Sequence, residues 1–289
     1  MLRVRVRIFG LLSALALMVL GAVPASATSE GHSYLALGDS VPFGFSPLKN
    51  PSDAANFIGY PEIVARALNI EDVNATCPGE ATGGFLSLTG TDNVCRPYRS
   101  AFPLHVSYSG TQVAFATAYL KSHPRTRLVT LTLGANDAFR FQKDCLAGPT
   151  VGTCPLGLGG VAATMQANLN TILGAIRATG YTGLIVAVTY YSLDYSDVSG
   201  AVFLNGPMIA AANAHGALIA DGLAAWAPAA AGGSSCVAGL LIVTKISPLT
   251  CDVHPTPKGR DLLAGAVVST IAASCPARSA IGCLDRSQG

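Results

Sequence analysis

Charged residues are scarce in this 289-residue chain, because Asp, Glu, Lys and Arg together make up only 12% of it. The 18 basic residues nearly balance the 16 acidic ones, and no basic stripe with interleaved aromatic residues occurs. A near-neutral surface offers no electrostatic attraction to nucleic acid or to an anionic membrane. We therefore expect no nucleic-acid partner.

Several motifs of other protein classes are missing as well. The absence of a GxSxG nucleophile elbow argues against an α/β-hydrolase. Without an HExxH or a CxxC pair, we expect no metal site and no metal or organic cofactor. Internal repeats and long Ser/Pro linkers are also lacking, so residues 28–289 are expected to form a single domain.

The first 27 residues have the features of an export signal. Three Arg residues at positions 3, 5 and 7 precede an apolar run from 8 to about 23, which the small residues Ala25-Ser26-Ala27 follow. This order predicts a secretory signal peptide cleaved after about Ala27. A permanent membrane anchor is the alternative, but the apolar run is at the short end for a bilayer span. We expect a secreted monomer with no stable membrane anchor.

The cysteine count agrees with export. Eight cysteines, an even number, are typical of disulfides in an oxidising compartment. Eight cysteines allow about 105 pairings, so the sequence cannot fix the connectivity. Nearest-neighbour pairing is expected because each bridge would close a Gly- or Pro-containing loop and contribute on the order of 2–3 kcal/mol. The four expected couples are Cys77/Cys95, Cys145/Cys154, Cys236/Cys251 and Cys275/Cys283.

Strand-like and helix-like segments alternate along the chain. The apolar runs predict strands at 33–37, near 72–76, at 128–133 and at 184–189. Helical spacing predicts helices over 60–68, 110–122, 160–178, 206–226 and 258–273. An Ala/Gly-rich patch at 224–233 is expected to be a surface loop. This alternation predicts an α/β fold with a mostly parallel sheet, whose reactive groups collect beyond the carboxyl ends of the strands.

Polar motifs lie where those strands end. Gly38-Asp39-Ser40 closes the first strand, and Cys77-Pro78-Gly79 follows the second. Gly134-Ala135-Asn136-Asp137 follows the third, and Asp252-Val253-His254-Pro255 precedes the last helix. Each motif alone is weak evidence, but four in order at such positions form a coherent set.

This set resembles the SGNH (GDSL-type) hydrolase family, whose four blocks are a GDS serine, a glycine, a GxND asparagine and a late histidine. The resemblance runs from about Tyr34 to Leu263. Segments such as LALGDS at 35–40 and LTLGAND at 131–137 resemble the secreted actinobacterial esterase/lipase branch. The resemblance implies a flavodoxin-like three-layer α/β/α sandwich and a serine esterase that forms an acyl-enzyme.

By the same resemblance, Ser40 is the nucleophile and His254 the general base. The oxyanion hole would consist of the backbone N–H groups of Ser40 and Gly79 and the side-chain amide of Asn136. The chemistry agrees: a hydroxyl needs a neighbouring base to become a good nucleophile, and fixed donors stabilise the oxyanion of acyl transfer. Gly79 lets a substrate approach its N–H closely, and Asn136 supplies a neutral donor.

The group that orients His254 is left open by the sequence. The family's aspartate usually lies three residues before the histidine, where this chain has Cys251, whereas Asp252 lies two before it. Either the Asp252 carboxylate completes a triad, or the backbone carbonyl of Cys251 orients the imidazole in a dyad. The register slightly favours the carbonyl.

Other polar and aromatic residues near the motifs are given supporting roles. Asp39 and Asp137 are expected to brace turns, and His105 to make a structural hydrogen bond. The side chains of Phe43, Phe45 and Phe85 are placed either in an acyl pocket or in the core. The expected substrate is a lipid or small acyl ester. A polysaccharide O-acetyl ester and a catalytically silent secreted binding protein are the alternatives.

Overall fold

The computed structural model describes residues 32–148, 154–275 and 278–284, and the predicted signal peptide lies outside these ranges. Within them, no helix is both long enough and apolar enough to cross a membrane.

Five parallel strands form the central sheet, in the order β2-β1-β3-β4-β5. This is the flavodoxin-like order, so the predicted mostly parallel sheet is confirmed. A separate antiparallel hairpin, β6–β7, follows later in the chain. The strands are β1 (Ser33–Gly38), β2 (Glu71–Asn74), β3 (Thr126–Thr132), β4 (Leu184–Val188), β5 (Leu218–Ala220), β6 (Leu241–Lys245) and β7 (Thr250–Pro255).

Helices cover both faces of the sheet, because successive strand residues point to opposite sides. On β1, Tyr34 and Ala36 face one buried core, and Leu35 and Leu37 face the other. Helices α2, α9 and α10 contribute to the first core, and α5, α7 and α8 to the second. The helices are α1 (Ser40–Phe43), α2 (Tyr60–Leu68), α3 (Thr82–Leu86), α4 (Cys95–Ala101), α5 (Gln112–Ser122), α6 (Ala135–Ala147), α7 (Cys154–Arg177), α8 (Ser199–Ala214), α9 (Gly222–Ala230), α10 (Pro257–Ser274) and α11 (Ala280–Leu284).

The prediction of one helix over 206–226 is wrong. The structure has α8, then strand β5, then α9 in this region. Gly216, with a φ of 60°, lies in the turn after α8, and Asp221 caps α9 by accepting from the Ala224 N–H. The Ala, Leu and Ile residues between them suit a helix or a buried strand equally, so pairing with β4 decides the outcome.

The expected loop at 224–233 is also wrong for most of its length, because α9 continues to Ala230. Alanine favours a helix, and the fully buried Trp226 anchors this one by stacking on Tyr191 and donating from Nε1 to the Gly259 carbonyl. Helix α6 and the β6–β7 hairpin are further elements that the sequence analysis did not predict.

All four disulfides join the expected nearest-neighbour couples. Two of them hold segments that carry predicted site residues. Cys77–Cys95 ties the Gly79 segment to α4, and Cys236–Cys251 ties β7 to the loop before β6.

Candidate active site

The sheet order brings the motif segments together. Strand β1 lies between β2 and β3, so the turn after β1 that carries Ser40 lies between the segments of Gly79 and Asn136. The turn starts at Gly38, whose φ is 129° and where a Cβ would lie 1.9 Å from the Thr132 carbonyl oxygen. A glycine is therefore required for the chain to leave the strand at this point.

His254 contacts Ser40 directly, although 214 residues separate them in the sequence. The distance from His254 Nε2 to Ser40 Oγ is 2.7 Å. On the other side of the ring, Nδ1 makes a very short contact with Asp252 Oδ1, which also accepts the His254 backbone N–H at 3.0 Å. The structure therefore places the Asp252 carboxylate, and not the favoured Cys251 carbonyl, against the ring, because residues two apart on strand β7 point to the same side.

The electrostatics of this pair favour an ionised carboxylate. Burial by itself would raise the pKa of Asp252, but the hydrogen bonds from His254 and its charge outweigh burial and hold the pKa below its usual value. A carboxylate that stays ionised can stabilise the imidazolium that forms when His254 accepts a proton. Phe45 packs edge-on against the imidazole, with ring centroids 4.9 Å apart.

Three possible donors surround the space beside Ser40 Oγ. Among the described residues, no protein acceptor takes the backbone N–H of Ser40 or Gly79. Gly79 has a φ of 83°, and a Cβ there would lie 2.1 Å from Val94 Cγ2, so this backbone conformation excludes a side chain. The mostly buried amide of Asn136, in the first turn of α6, lines the same cleft.

Asn93 is a site residue that the sequence analysis missed. Its Nδ2 donates to Asn136 Oδ1 at 3.0 Å, which leaves the Asn136 Nδ2 for an acceptor in the cleft. Asn93 itself lines the cleft. It lies in the connection between α3 and α4, where no motif marks it.

A second missed residue, Tyr190, links two of the motif segments. Its hydroxyl donates to Asp39 Oδ2 at 2.5 Å and accepts the backbone N–H of Ala135 at 3.1 Å. The other Asp39 oxygen accepts the Val41 N–H at 3.0 Å. Burial raises the pKa of Asp39 to about 6, against the opposing effect of these hydrogen bonds. Asp39 thus braces the turn that carries Ser40, as predicted.

Asp137 also braces a turn, as predicted. Its two oxygens accept the Thr82 backbone N–H at 2.9 Å and the Thr82 hydroxyl at 2.6 Å. This pair fixes the start of α6 against the start of α3. His105 is likewise structural, with its Nε2 3.1 Å from the carbonyl oxygen of Phe43.

The three phenylalanines expected either in an acyl pocket or in the core occupy different places. Phe43 and Phe85 are fully buried in the core, whereas Phe45 lines the cleft beside His254. The cleft has a volume of about 790 Å³ and extends from Ser40 and His254 between α6, α7 and α8.

Cys77, Glu80 and Cys95 place sulfur and carboxylate atoms close enough together to bind a metal ion. The two sulfurs are bonded to each other, however, and a disulfide is not a thiolate ligand. This cluster therefore does not fit a metal.

The fold and the four motif segments identify the class of protein. A model of the GDSL-like Lipase/Acylhydrolase family matches residues 36–262, and the chain belongs to this family. No curated protein sequence matches the chain.

Solved structures of low sequence identity share the fold. A phospholipase A1 from Streptomyces albidoflavus NA297 has a TM-score of 0.53 and 19% identity, over 83% of this chain and 99% of that one. A mutant acetyl-xylooligosaccharide esterase from Geobacillus stearothermophilus has a TM-score of 0.52 and 16% identity, over 83% and 94%. An α/β hydrolase enzyme from the metagenome of Lake Arreo, Spain, has a TM-score of 0.51 and 16% identity, over 88% and 96%.

Proposed function

We propose that the protein is a secreted serine esterase that hydrolyses carboxylic esters through an acyl-enzyme. The observation that carries this proposal is the chain of contacts from Ser40 Oγ through His254 to Asp252, facing the Ser40, Gly79 and Asn136 donors. Membership of the GDSL-like family supports it. The four disulfides fit an extracellular protein, and the N-terminal 27 residues supply the proposed export signal.

In the proposed reaction, Ser40 Oγ attacks the ester carbonyl while His254 Nε2 takes the hydroxyl proton. The negative charge moves to the carbonyl oxygen, which the three N–H donors stabilise. As the carbon–oxygen bond to the alcohol breaks, the imidazolium returns its proton to the departing alkoxide. A water molecule then attacks the acyl-enzyme, again losing a proton to His254, and Ser40 recovers its proton as the carboxylic acid leaves.

The cleft favours a lipid or small acyl ester over an O-acetylated polysaccharide. Apolar side chains make up most of its wall beyond the Ser40 end. A polysaccharide has hydroxyl groups on every unit and would need many polar partners when desolvated. A phospholipase A1 and an acetyl-xylooligosaccharide esterase are both among the structural neighbours, but at such low identity they inform on fold alone.

The test compares the mature wild-type protein with Ser40→Ala. We expect wild-type protein to hydrolyse p-nitrophenyl esters and to be labelled by a fluorophosphonate, and Ser40→Ala to lose both while keeping its thermal unfolding midpoint. If Ser40→Ala hydrolysed the esters as fast as the wild-type protein, the nucleophile would be a residue other than Ser40. Absence of turnover and labelling in folded wild-type protein would favour the silent binding protein.

A further inference from the structure

The cleft continues away from Ser40 along one face of α6. Asn136, Phe139 and Leu146 all line it. Their spacings of three and seven residues put them in one row along the helix. At about 1.5 Å per residue, the row extends about 15 Å from the oxyanion donor outwards.

Helix α8 provides the opposite wall. Gly200, Phe203 and Leu204 lie on one side of α8, three and four residues apart, and line the same cleft. Near the distal end, Leu158 of α7 contributes to the lining. The Cys145–Cys154 disulfide fixes the end of α6 to the beginning of α7 and so maintains the shape of this end.

The charged side chains of the cleft lie outside these walls. Asp39 and His254 are beside Ser40, and Asp194 and Asp197 precede α8. Among the described residues, those that α6, α7 and α8 contribute to the lining carry no charge. An uncharged channel that begins at the donors for a carbonyl oxygen fits the hydrocarbon chain of an acyl group.

We propose that this channel between α6 and α8 is an acyl-chain site that contacts about the first twelve carbons and so favours esters of long-chain over short-chain fatty acids. The inference rests on the proposed esterase function. An extended chain with carbon–carbon bonds of about 1.5 Å advances about 1.25 Å per bond, so about twelve carbons span the row on α6. Leu146 is 59% exposed at its end, so carbons beyond that point reach solvent and add no further contact.

The experiment measures kcat/KM for p-nitrophenyl esters from acetate to hexadecanoate, below their aggregation concentrations. A fully buried methylene is worth about fourfold in binding, and we expect about twofold per methylene in a channel open on one side. The value should therefore rise about a thousandfold from acetate to dodecanoate and level off thereafter.

A Gly200→Trp variant tests the location of the chain. Gly200 lines the channel, and a Cβ built there meets no atom within 4 Å, so a side chain at this position begins in open space. We expect the dodecanoate-to-acetate ratio of kcat/KM to fall about a hundredfold, as the loss of most of the methylene contacts requires. Gly265→Trp, at a helical position on α10 with equally open space and outside the cleft, should leave the ratio unchanged.

Leu146→Asp provides an independent test if Gly200→Trp does not fold. Leu146 is largely exposed, so we expect this variant to fold. This variant should lower kcat/KM for dodecanoate, whereas kcat/KM for esters of four carbons or fewer should stay at the wild-type value. Ser40-dependent turnover with a flat chain-length profile, or an unchanged ratio in folded Gly200→Trp or Leu146→Asp, would overturn the acyl-chain site alone. Absence of Ser40-dependent turnover with every ester would instead overturn the proposed function.

Discussion

The Asn93 amide donates a hydrogen bond to Oδ1 of Asn136 and thereby sets the direction in which the Asn136 amide group faces. An asparagine side chain can rotate so that either its oxygen or its nitrogen points into a cleft, and the two orientations are opposite in their effect on an oxyanion. Asn93 selects the orientation that presents N–H. It is therefore a positioning residue in the proposed mechanism.

Removing these two amides should lower turnover to different extents. Asn136→Ala should reduce kcat by about 10²–10³-fold, the usual effect of losing one oxyanion donor. Asn93→Ala should reduce kcat about tenfold with little change in KM. The Asn136 amide remains, and only the one neutral hydrogen bond that holds its orientation is lost.

Asn93→Asp should resemble Asn93→Ala, since a carboxylate has the same shape but cannot donate. Steady-state kinetics check both variants, with the exposed Asn213→Ala on α8 as the control. Wild-type kcat in Asn93→Asp would show that Asn93 only fills space.

The Asp252 carboxylate should be essential for fast turnover. Asp252→Asn removes the charge beside the imidazolium while nearly keeping the shape of the side chain, and we expect a loss of about 10³–10⁴-fold in kcat. Asp261→Asn, an exposed change on α10, should have no effect. A loss of only several-fold in folded Asp252→Asn would restore the dyad with the Cys251 carbonyl.

Glu80 should make the protein less stable as the pH rises towards 8. Burial and then the negative charge of Asp92 raise the pKa of Glu80 from 4.5 to about 8, and Gln112 donates to its Oε2 at 3.3 Å. Below pH 4.5 both the folded and the unfolded state are protonated. Between pH 4.5 and about 8 only the unfolded state ionises, so stability falls by up to about 1.4 kcal/mol per pH unit.

Glu80→Gln should remove this slope, because a glutamine does not ionise. Denaturant unfolding at about pH 7, 7.5 and 8 measures it, in a range above the pKa of about 6 for Asp39. Equal slopes in the wild-type protein and the variant would assign the pH dependence to other groups.

The Cys236–Cys251 disulfide should affect activity as well as stability. Replacing both cysteines by serine removes a bridge across 15 residues of sequence, which is worth about 3 kcal/mol. Because Cys251 precedes Asp252 directly, kcat of the remaining folded protein should also fall. The matched change at Cys275 and Cys283, outside the cleft, should lower only the unfolding midpoint. Equal kcat in the two double variants would show that the Cys236–Cys251 disulfide contributes to stability but not to the geometry of the active site.

The sequence could locate Ser40, Gly79 and Asn136 because each follows a predicted strand within a few residues. The parallel sheet then brings these three residues together, since neighbouring strands end at the same edge. Asn93 gave no such signal, as it lies 43 residues from Asn136 and its loop has no recognisable pattern. Tyr190 is 151 residues from Asp39, and only the folded sheet shows that they meet.

The errors have an equally local origin. The position three residues before His254 favoured the Cys251 carbonyl as the orienting group. On strand β7, however, the side chain two residues before His254 points to the same side as the imidazole, so the Asp252 carboxylate makes the contact. Between 206 and 226, the residues of β5 suit a helix or a strand equally well. Pairing with β4 settles which they form, and pairing is not encoded within the segment itself.

The contact between Ser40 and His254 joins two segments that different sheets position. The sheet places Ser40, whereas the β6–β7 hairpin, which is not part of that sheet, places His254. Their sequence separation of 214 makes this contact one of the longest loop closures among the described residues, and the entropy of closing a long loop is lost before the contact can stabilise the fold. We therefore expect the proposed ester hydrolysis to recover during refolding after the sheet structure has recovered, because its recovery reports the docking of the hairpin.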